Sequence, residues 1–187
     1  EAGLVCLEEQ VDSLIVILNE KLEQVFGEDI DQVDAFAKAD DVLYNAVAGI
    51  AEIINVAGNV NVDFEDVRTV MSSQGKAMMG TAIAQGADRA KVAAEQATRS
   101  PLLEGVNLHG ARGILVNISA SKNLKLHETK MAMNYINSFA DDGAEVIWGT
   151  AIDESLGDDL RVTLVATGID HRSTPRLESV PRTGTND

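Results

Sequence analysis

DAFAKADDVLYNAVAGIAEII, Asp34 to Ile54, decides how the rest of the chain is read. Apolar residues fall at Phe36, Ala39, Leu43, Ala46, Val47, Ile50 and Ile54, in steps of three and four that trace one face of a helix. Val42, Ala51 and Ile53 widen the stripe, so burial on more than one side is expected. At 1.5 Å per residue such a helix is about 32 Å long, the width of a small domain. A long helix that is apolar over most of its surface is suited to lying between two domains. Gly58, within NVAGNV (Asn55 to Val60), ends the pattern.

On either side of this helix the periodicity changes. Upstream, residues 2–10 read as the end of a helix, and VDSLIVIL (Val11 to Leu18) reads as a buried strand. Asn19 follows directly, as the N-cap of a strand-to-helix turn. Downstream, helices are expected from Asp63 to Ser73, from Ala87 to Thr98 (stopped by Ser100-Pro101) and from Leu126 to Phe139. Strands are expected at Lys76 to Ala84, Ile114 to Ser119, Val146 to Ala151 and Arg161 to Thr167. This order predicts an α/β sandwich, a mixed sheet with helices packed against it. The last two strands are expected to be antiparallel neighbours, joined by the acidic loop Asp153 to Asp159. Residues 170–187, with two of the three prolines and little periodicity, read as a flexible tail.

Composition narrows the function. The 187 residues carry a formal net charge of -15, which argues against nucleic acid, where affinity comes from neutralising phosphates, and against direct binding to an anionic membrane. Only 4% of residues are aromatic, so the core is expected to be Ala, Val, Ile and Leu, with the five methionines as filler and Trp148 packed on a helix. Cys6 is the only cysteine; among Leu4, Val5 and Leu7 it reads as a buried, inert thiol. His109, His127 and His171 show no ligand spacing, so no metal site is expected from histidine or cysteine. No apolar run approaches the ~20 residues of a membrane span, and the expected setting is reducing, cytoplasmic and soluble. Arg89, Arg99, Arg112 and Arg161 are scattered and are expected as surface partners for the abundant acids. The chain starts at Glu1, already inside a helical pattern, as a truncated or processed form or a partial gene would.

The candidate chemistry sits at the start of the first downstream helix. Asp63 and Asp66 are three apart at a helix start and can face one side, with Asn61 just before them. Two readings are open from spacing: the acids cap free amides at the positive end of the helix, or they orient and polarise a water for attack on a phosphate. Phe36 and Asp40, at i and i+4, share a face of the long helix; by themselves they read as core and solvated surface.

Asn61-Val62-Asp63-Phe64-Glu65-Asp66-Val67 resembles the N-x-D-F-x-D-V signature of the loop after the central helix in the FtsZ family, the bacterial tubulin-like cell-division GTPases. The likeness extends through Val11 to Leu22, Asp34 to Ile54, TVMSSQGKAMMGTA (Thr69 to Ala82), SPLLEGVNLHGARGILVNI (Ser100 to Ile118) and LRVTLVATGI (Leu160 to Ile169), so far more than a short motif matches. The resemblance implies a tail end of a GTP-binding domain at 1–33, a central linking helix at 34–55, a catalytic loop at 56–62 and a GTPase-activating domain at 63–169. It implies a head-to-tail homopolymer that forms the cytokinetic ring at mid-cell. There the loop of one subunit completes the GTP site of the next, a heterologous contact of the kind that builds filaments.

Carried over residue by residue, Asp63 and Asp66 position the attacking water and an associated cation, with Mg²⁺ expected beside GTP or GDP at the interface, and Asn61 shapes the loop. Phe36 stacks on guanine, and the two oxygens of Asp40 accept from its ring and amino hydrogens, with Asn19 a further base contact. The sequence departs from the pattern at Ala57 and Leu18, where proline is usual, and at Asn59, where leucine is usual. The family's glycine-rich phosphate loop does not occur in this sequence, nor does the C-terminal peptide that binds its membrane tethers. The alternatives are a non-catalytic α/β interaction module whose acidic turn is only a cap, and a sister tubulin-like filament for plasmid partition.

Overall fold

The computed structural model describes residues 2–17, 27, 31–55, 60, 62–72, 75–103 and 110–169. Five helices run α1 Ala2–Glu8, α2 Gln32–Asn55, α3 Phe64–Met71, α4 Arg89–Thr98 and α5 Leu126–Asn137. Five strands run β1 Ser13–Ile15, β2 Gly75–Ala84, β3 Gly113–Ala120, β4 Glu145–Ile152 and β5 Leu160–Ile169. Short 3-10 turns occupy Pro101–Leu103 and Glu154–Leu156. The sequence-based elements from Asp34 onward are present in the expected order. The upstream strand is much shorter than VDSLIVIL suggested, and it joins the same sheet as a parallel partner of β2.

The sheet order is β1-β2-β5-β3-β4, and it corrects one expectation. The last two strands are not neighbours. β5 lies antiparallel between β2 and β3, while β4 pairs parallel with β3 at the edge. Burial explains the choice. Nine of the ten residues of β5 are buried, the signature of a central strand covered on both faces, whereas β4 is half-exposed along its first half. The acidic turn therefore steps across the end of β3, where the Asp153 amide donates to the Ala120 carbonyl at 3.0 Å.

Alternation along the strands divides the core in two. Ile114, Val116, Ile118, Leu160, Val162 and Leu164 face α4 and α5 and their alanines Ala90, Ala93, Ala94, Ala97 and Ala132. Leu115 and Val165 face the other way, onto Val42 and Ile53 of α2 and Val67 and Val70 of α3. Small residues let α4 come close: a Cβ on Gly80 would lie 2.1 Å from the Ala97 carbonyl oxygen.

Three further expectations are corrected. α2 does form, but it is buried on one side only; Val33, Phe36, Tyr44 and Val47 are 55–79% exposed, so its apolar girth exceeds the layer available to it here. Cys6 is exposed, along with its neighbours Leu4, Val5 and Leu7, because no layer of the described residues covers α1. Arg89 is not a surface residue. It is 6% exposed, and its guanidinium grips Glu128 in a bidentate pair, Nε to Oε1 at 2.7 Å and Nη2 to Oε2 at 3.1 Å. Its Nη1 donates to the Asp158 carbonyl at 2.7 Å, and Nη2 donates to Asn123 Oδ1 at 2.9 Å. Glu128 also accepts from the Lys125 amide at 2.8 Å, reaching back to the start of α5. One side chain thus ties together the starts of α4 and α5 and the turn before β5.

Burial alone would raise the Glu128 carboxyl, but the Arg89 hydrogen bonds, the Lys125 amide and the Arg89 charge together hold it below its ordinary value. A carboxyl depressed in the folded state stabilises fully above its unfolded value and loses that contribution as pH falls through the folded one. Urea titrations should therefore show stability declining below about pH 4.3, and less steeply in Glu128→Gln. At pH 7, Arg89→Met or Glu128→Gln leaves one buried partner alone and should cost about 3–5 kcal/mol in the same titration. Gly80→Ala overpacks the α4 contact and should cost about 1–3 kcal/mol.

Candidate functional site

α3 is held by its rear and presents its front. Val67 and Val70 are buried against the sheet. The Thr167 hydroxyl donates to the Val70 carbonyl at 2.8 Å, and the Ser13 hydroxyl donates to the Met71 carbonyl at 2.5 Å. These bonds satisfy carbonyls that a helix end would leave free. At the other end Asp63 stands at the N-cap with extended backbone, φ -74° and ψ 148°, and its carbonyl accepts the Val67 amide at 3.2 Å. Its carboxylate makes no capping hydrogen bond. Asp63, Phe64, Glu65 and Asp66 are all exposed, with Phe64 at 57%. Glu65 pairs with Arg68 at 3.6 Å, an open surface contact worth little.

Val60, three residues before Asp63, is fastened to the edge strand β4. The Val60 amide donates to the Thr150 hydroxyl at 3.0 Å, and the Thr150 amide donates back to the Val60 carbonyl at 3.0 Å. Gly149 makes room for this approach: a Cβ there would sit 3.0 Å from Ile53 Cγ2 and 3.1 Å from Val62 Cγ2.

Glu52 secures the end of α2 ahead of Val60. It accepts from Asn117 Nδ2 at 3.0 Å, from the Ser119 hydroxyl at 3.0 Å and from Arg161 Nη2 at 3.1 Å. Arg161 reaches Asp153 at 3.5 Å as well. Sequence reading missed this group and placed Arg161 on the surface. The signal was a run of polar residues, Asn117, Ser119, Arg161 and Thr163, at alternate positions of two strands otherwise apolar. Such positions all point to one face, where a charged residue of a packed helix can meet them.

The expected site residues therefore fall into two places. Asp63 and Asp66 share the exposed front of α3. Phe36 and Asp40 lie exposed in the first half of α2, at 55% for Phe36. α2 has 24 residues and runs about 36 Å; Phe36 and Asp40 lie in its first half, and the acidic pair follows its C-terminal end in the chain. Asn61 and Asn19 lie outside the described residues. Among the described residues no cluster of three or more His, Cys, Asp or Glu is poised to hold a metal ion, and no helix is long and apolar enough to cross a membrane. The cleft of about 510 Å³ lined by Arg89, Lys125, His127, Glu128 and Asp158 is built around the ion pair already described, whose charges are turned on each other.

Comparison with known proteins places this geometry. The model of the FtsZ family C-terminal domain matches residues 75–170. The chain is 53% identical over 183 residues to the cell division protein FtsZ of Azotobacter vinelandii, covering 98% of this chain and 46% of that protein. It is 50% identical over 186 residues to the cell division protein FtsZ of Wigglesworthia glossinidia brevipalpis, covering 100% of this chain and 48% of that protein. The solved FtsZ dimer of M. jannaschii superposes with a TM-score of 0.84 at 41% identity, over 89% of this chain and 48% of that one. The chain thus spans about half the length of the relatives it matches. The fold is the rear part of the tubulin/FtsZ-like architecture, and the chain belongs to the FtsZ family of cell-division proteins.

Proposed function

We propose that this chain forms the rear half of a GTPase subunit that polymerises head to tail, and that its acidic loop completes the hydrolysis site on the neighbouring subunit's GTP. The observation that carries the reading is the state of Asp63. It stands where a helix cap stands, yet its carboxylate is left to solvent instead of bonding the helix amides. A cap-only role is thereby disfavoured, and an acceptor on a rigid, outward-facing mount remains. Phe64, exposed between the two acids, suits a surface that another protein covers.

The separation along α2 supports the head-to-tail arrangement. A guanine contact at Phe36 and Asp40 and a water-positioning pair at Asp63 and Asp66 serve opposite ends of one subunit, as a heterologous filament contact requires. Asp40 fits guanine, since two carboxylate oxygens match two adjacent N–H donors. In hydrolysis the water oxygen bonds to the γ-phosphorus, the bond from that phosphorus to the bridging oxygen breaks, and GDP and phosphate leave. Asp63 and Asp66 accept the water's hydrogens and hold it in line, with Asn61 shaping the loop. Mg²⁺ commonly takes only one or two carboxylates together with phosphates and waters, which fits the two acids offered here. Its contribution when bound is to neutralise phosphate charge.

The division into a nucleotide-domain tail at 1–33, a linking helix at 34–55, a loop at 56–62 and an activating domain at 63–169 belongs to the same proposal, with residues 170–187 as tail. The open side of α2 (Val33, Tyr44 and Val47) is then the face turned toward the nucleotide domain. In the cell such a polymer forms the mid-cell ring, tethered to the membrane through other proteins.

In the full-length subunit, Asp63→Ala and Asp66→Ala should each lower GTP turnover by about 10²–10⁴-fold while pelleting assays still show filaments. Turnover equal to wild type in both variants would remove the catalytic reading. Asp40→Ala should weaken GTP binding by at least about tenfold in a fluorescence titration, consistent with two lost hydrogen bonds. Excess chain 1–187, added to assembling full-length subunits, should reduce filament mass by occupying ends; light scattering unchanged at high excess would argue against the docking surface.

A further inference from the structure

We propose that Thr150, seated on β4 beside Gly149, is a positioning residue for the acidic loop: its hydroxyl and amide fix Val60, and through Val60 the place of the Asp63 carboxylate. The inference rests on the hydrolysis reading above. Asp63 follows Val60 by three residues and has one anchor on each side. Behind Asp63 lies α3, held by Val67, Val70 and the Thr167 bond to the Val70 carbonyl. Ahead of it lies Val60, joined to Thr150 by two hydrogen bonds of 3.0 Å in opposite directions.

The arrangement is built, not incidental. Thr150 is 3% exposed, so its hydroxyl is withdrawn from water and accepts from the loop amide instead. Gly149 leaves the space into which Val62 and Ile53 fit, and a side chain there would push Val62 outward. β4 is an edge strand, and pairing Thr150 with Val60 also covers part of its free side. Because Val60 takes its position from the sheet rather than from a cap at Asp63, the Asp63 carboxylate can stay unbonded and still be held in place. A nucleophile-orienting group must be placed to within a fraction of an ångström, and a misplacement of about 1 Å costs up to 10²-fold in rate.

The experiment compares Thr150→Val, Thr150→Ser and Asp63→Ala in the full-length subunit, with Thr150→Ala as the second variant should valine prevent folding. Valine keeps the shape and removes the acceptor; serine keeps the acceptor. The expected result for Thr150→Val is a kcat for GTP lowered by about ten- to a hundredfold, with KM and filament mass unchanged. Amide exchange at Val60 should accelerate while the β3 amides stay protected, and both effects should revert in Thr150→Ser. A purely structural role would lower the urea midpoint in proportion and would not separate kcat from KM. Wild-type kcat in Thr150→Val while Asp63→Ala is inactive overturns this proposal and leaves the hydrolysis reading standing. Wild-type turnover in Asp63→Ala removes the reading itself, and this proposal with it.

Discussion

β5 is the strand on which the other parts of the site close. It lies antiparallel between two parallel strands and is buried on both faces, and its alternation assigns a different duty to each side. Leu160, Val162, Leu164 and Ala166 join the apolar layer under α4 and α5. On the opposite face, Arg161 bonds Glu52, Thr163 meets Gly49 at 3.0 Å from where its Cβ would be, Val165 packs in the second core, and Thr167 holds the Val70 carbonyl. Two of these positions thus grip α2, one packs in the core that α2 and α3 share, and the fourth grips α3. Shifting the register by one residue would turn the polar set into the alanine layer and leave α2 unheld, so hydrophobic burial on one face enforces the alignment of polar contacts on the other.

This coupling anchors the described residues on either side of Asp63. The end of α2 is bound through Glu52, Val60 touches β4 at Thr150, and α3 follows with two valines buried. Each hydrogen bond contributes only about 1 kcal/mol, but the anchors at Glu52, at Val60 and on the buried face of α3 act together. Carboxylates mounted on such a segment need not bond their own helix to stay in place. That is the physical basis for treating Asp63 as an outward-directed acceptor in the proposed contact between subunits.

α2 also links the two proposed half-sites mechanically. A continuous helix of about 36 Å connects Phe36 and Asp40 to the loop, and its C-terminal half is fixed to the sheet while much of its apolar surface nearer the N-terminus stands open. Glu52, near the C-terminal end of α2, has its partners on β3 and β5.

The sequence by itself determined the elements and the motif. A 3.6-residue period over Asp34 to Ile54, alternation in the later strands and the acidic helix start at Asp63 are local patterns, and local backbone geometry obeys them. What only the tertiary structure decided was everything that depends on which surfaces meet. Chain proximity suggested that β4 and β5 pair, but burying a strand apolar on both faces placed β5 in the centre. Arg89 and Arg161 read as surface charges until packing supplied Glu128 and Glu52 as partners, because a buried arginine is recognised by what it meets and not by its neighbours in sequence. Thr150 was one residue in a strand until the edge of the sheet met the loop at Val60, a bond across 90 residues of chain. Periodicity reports the face a residue belongs to; the partner across that face is fixed only when the layers close.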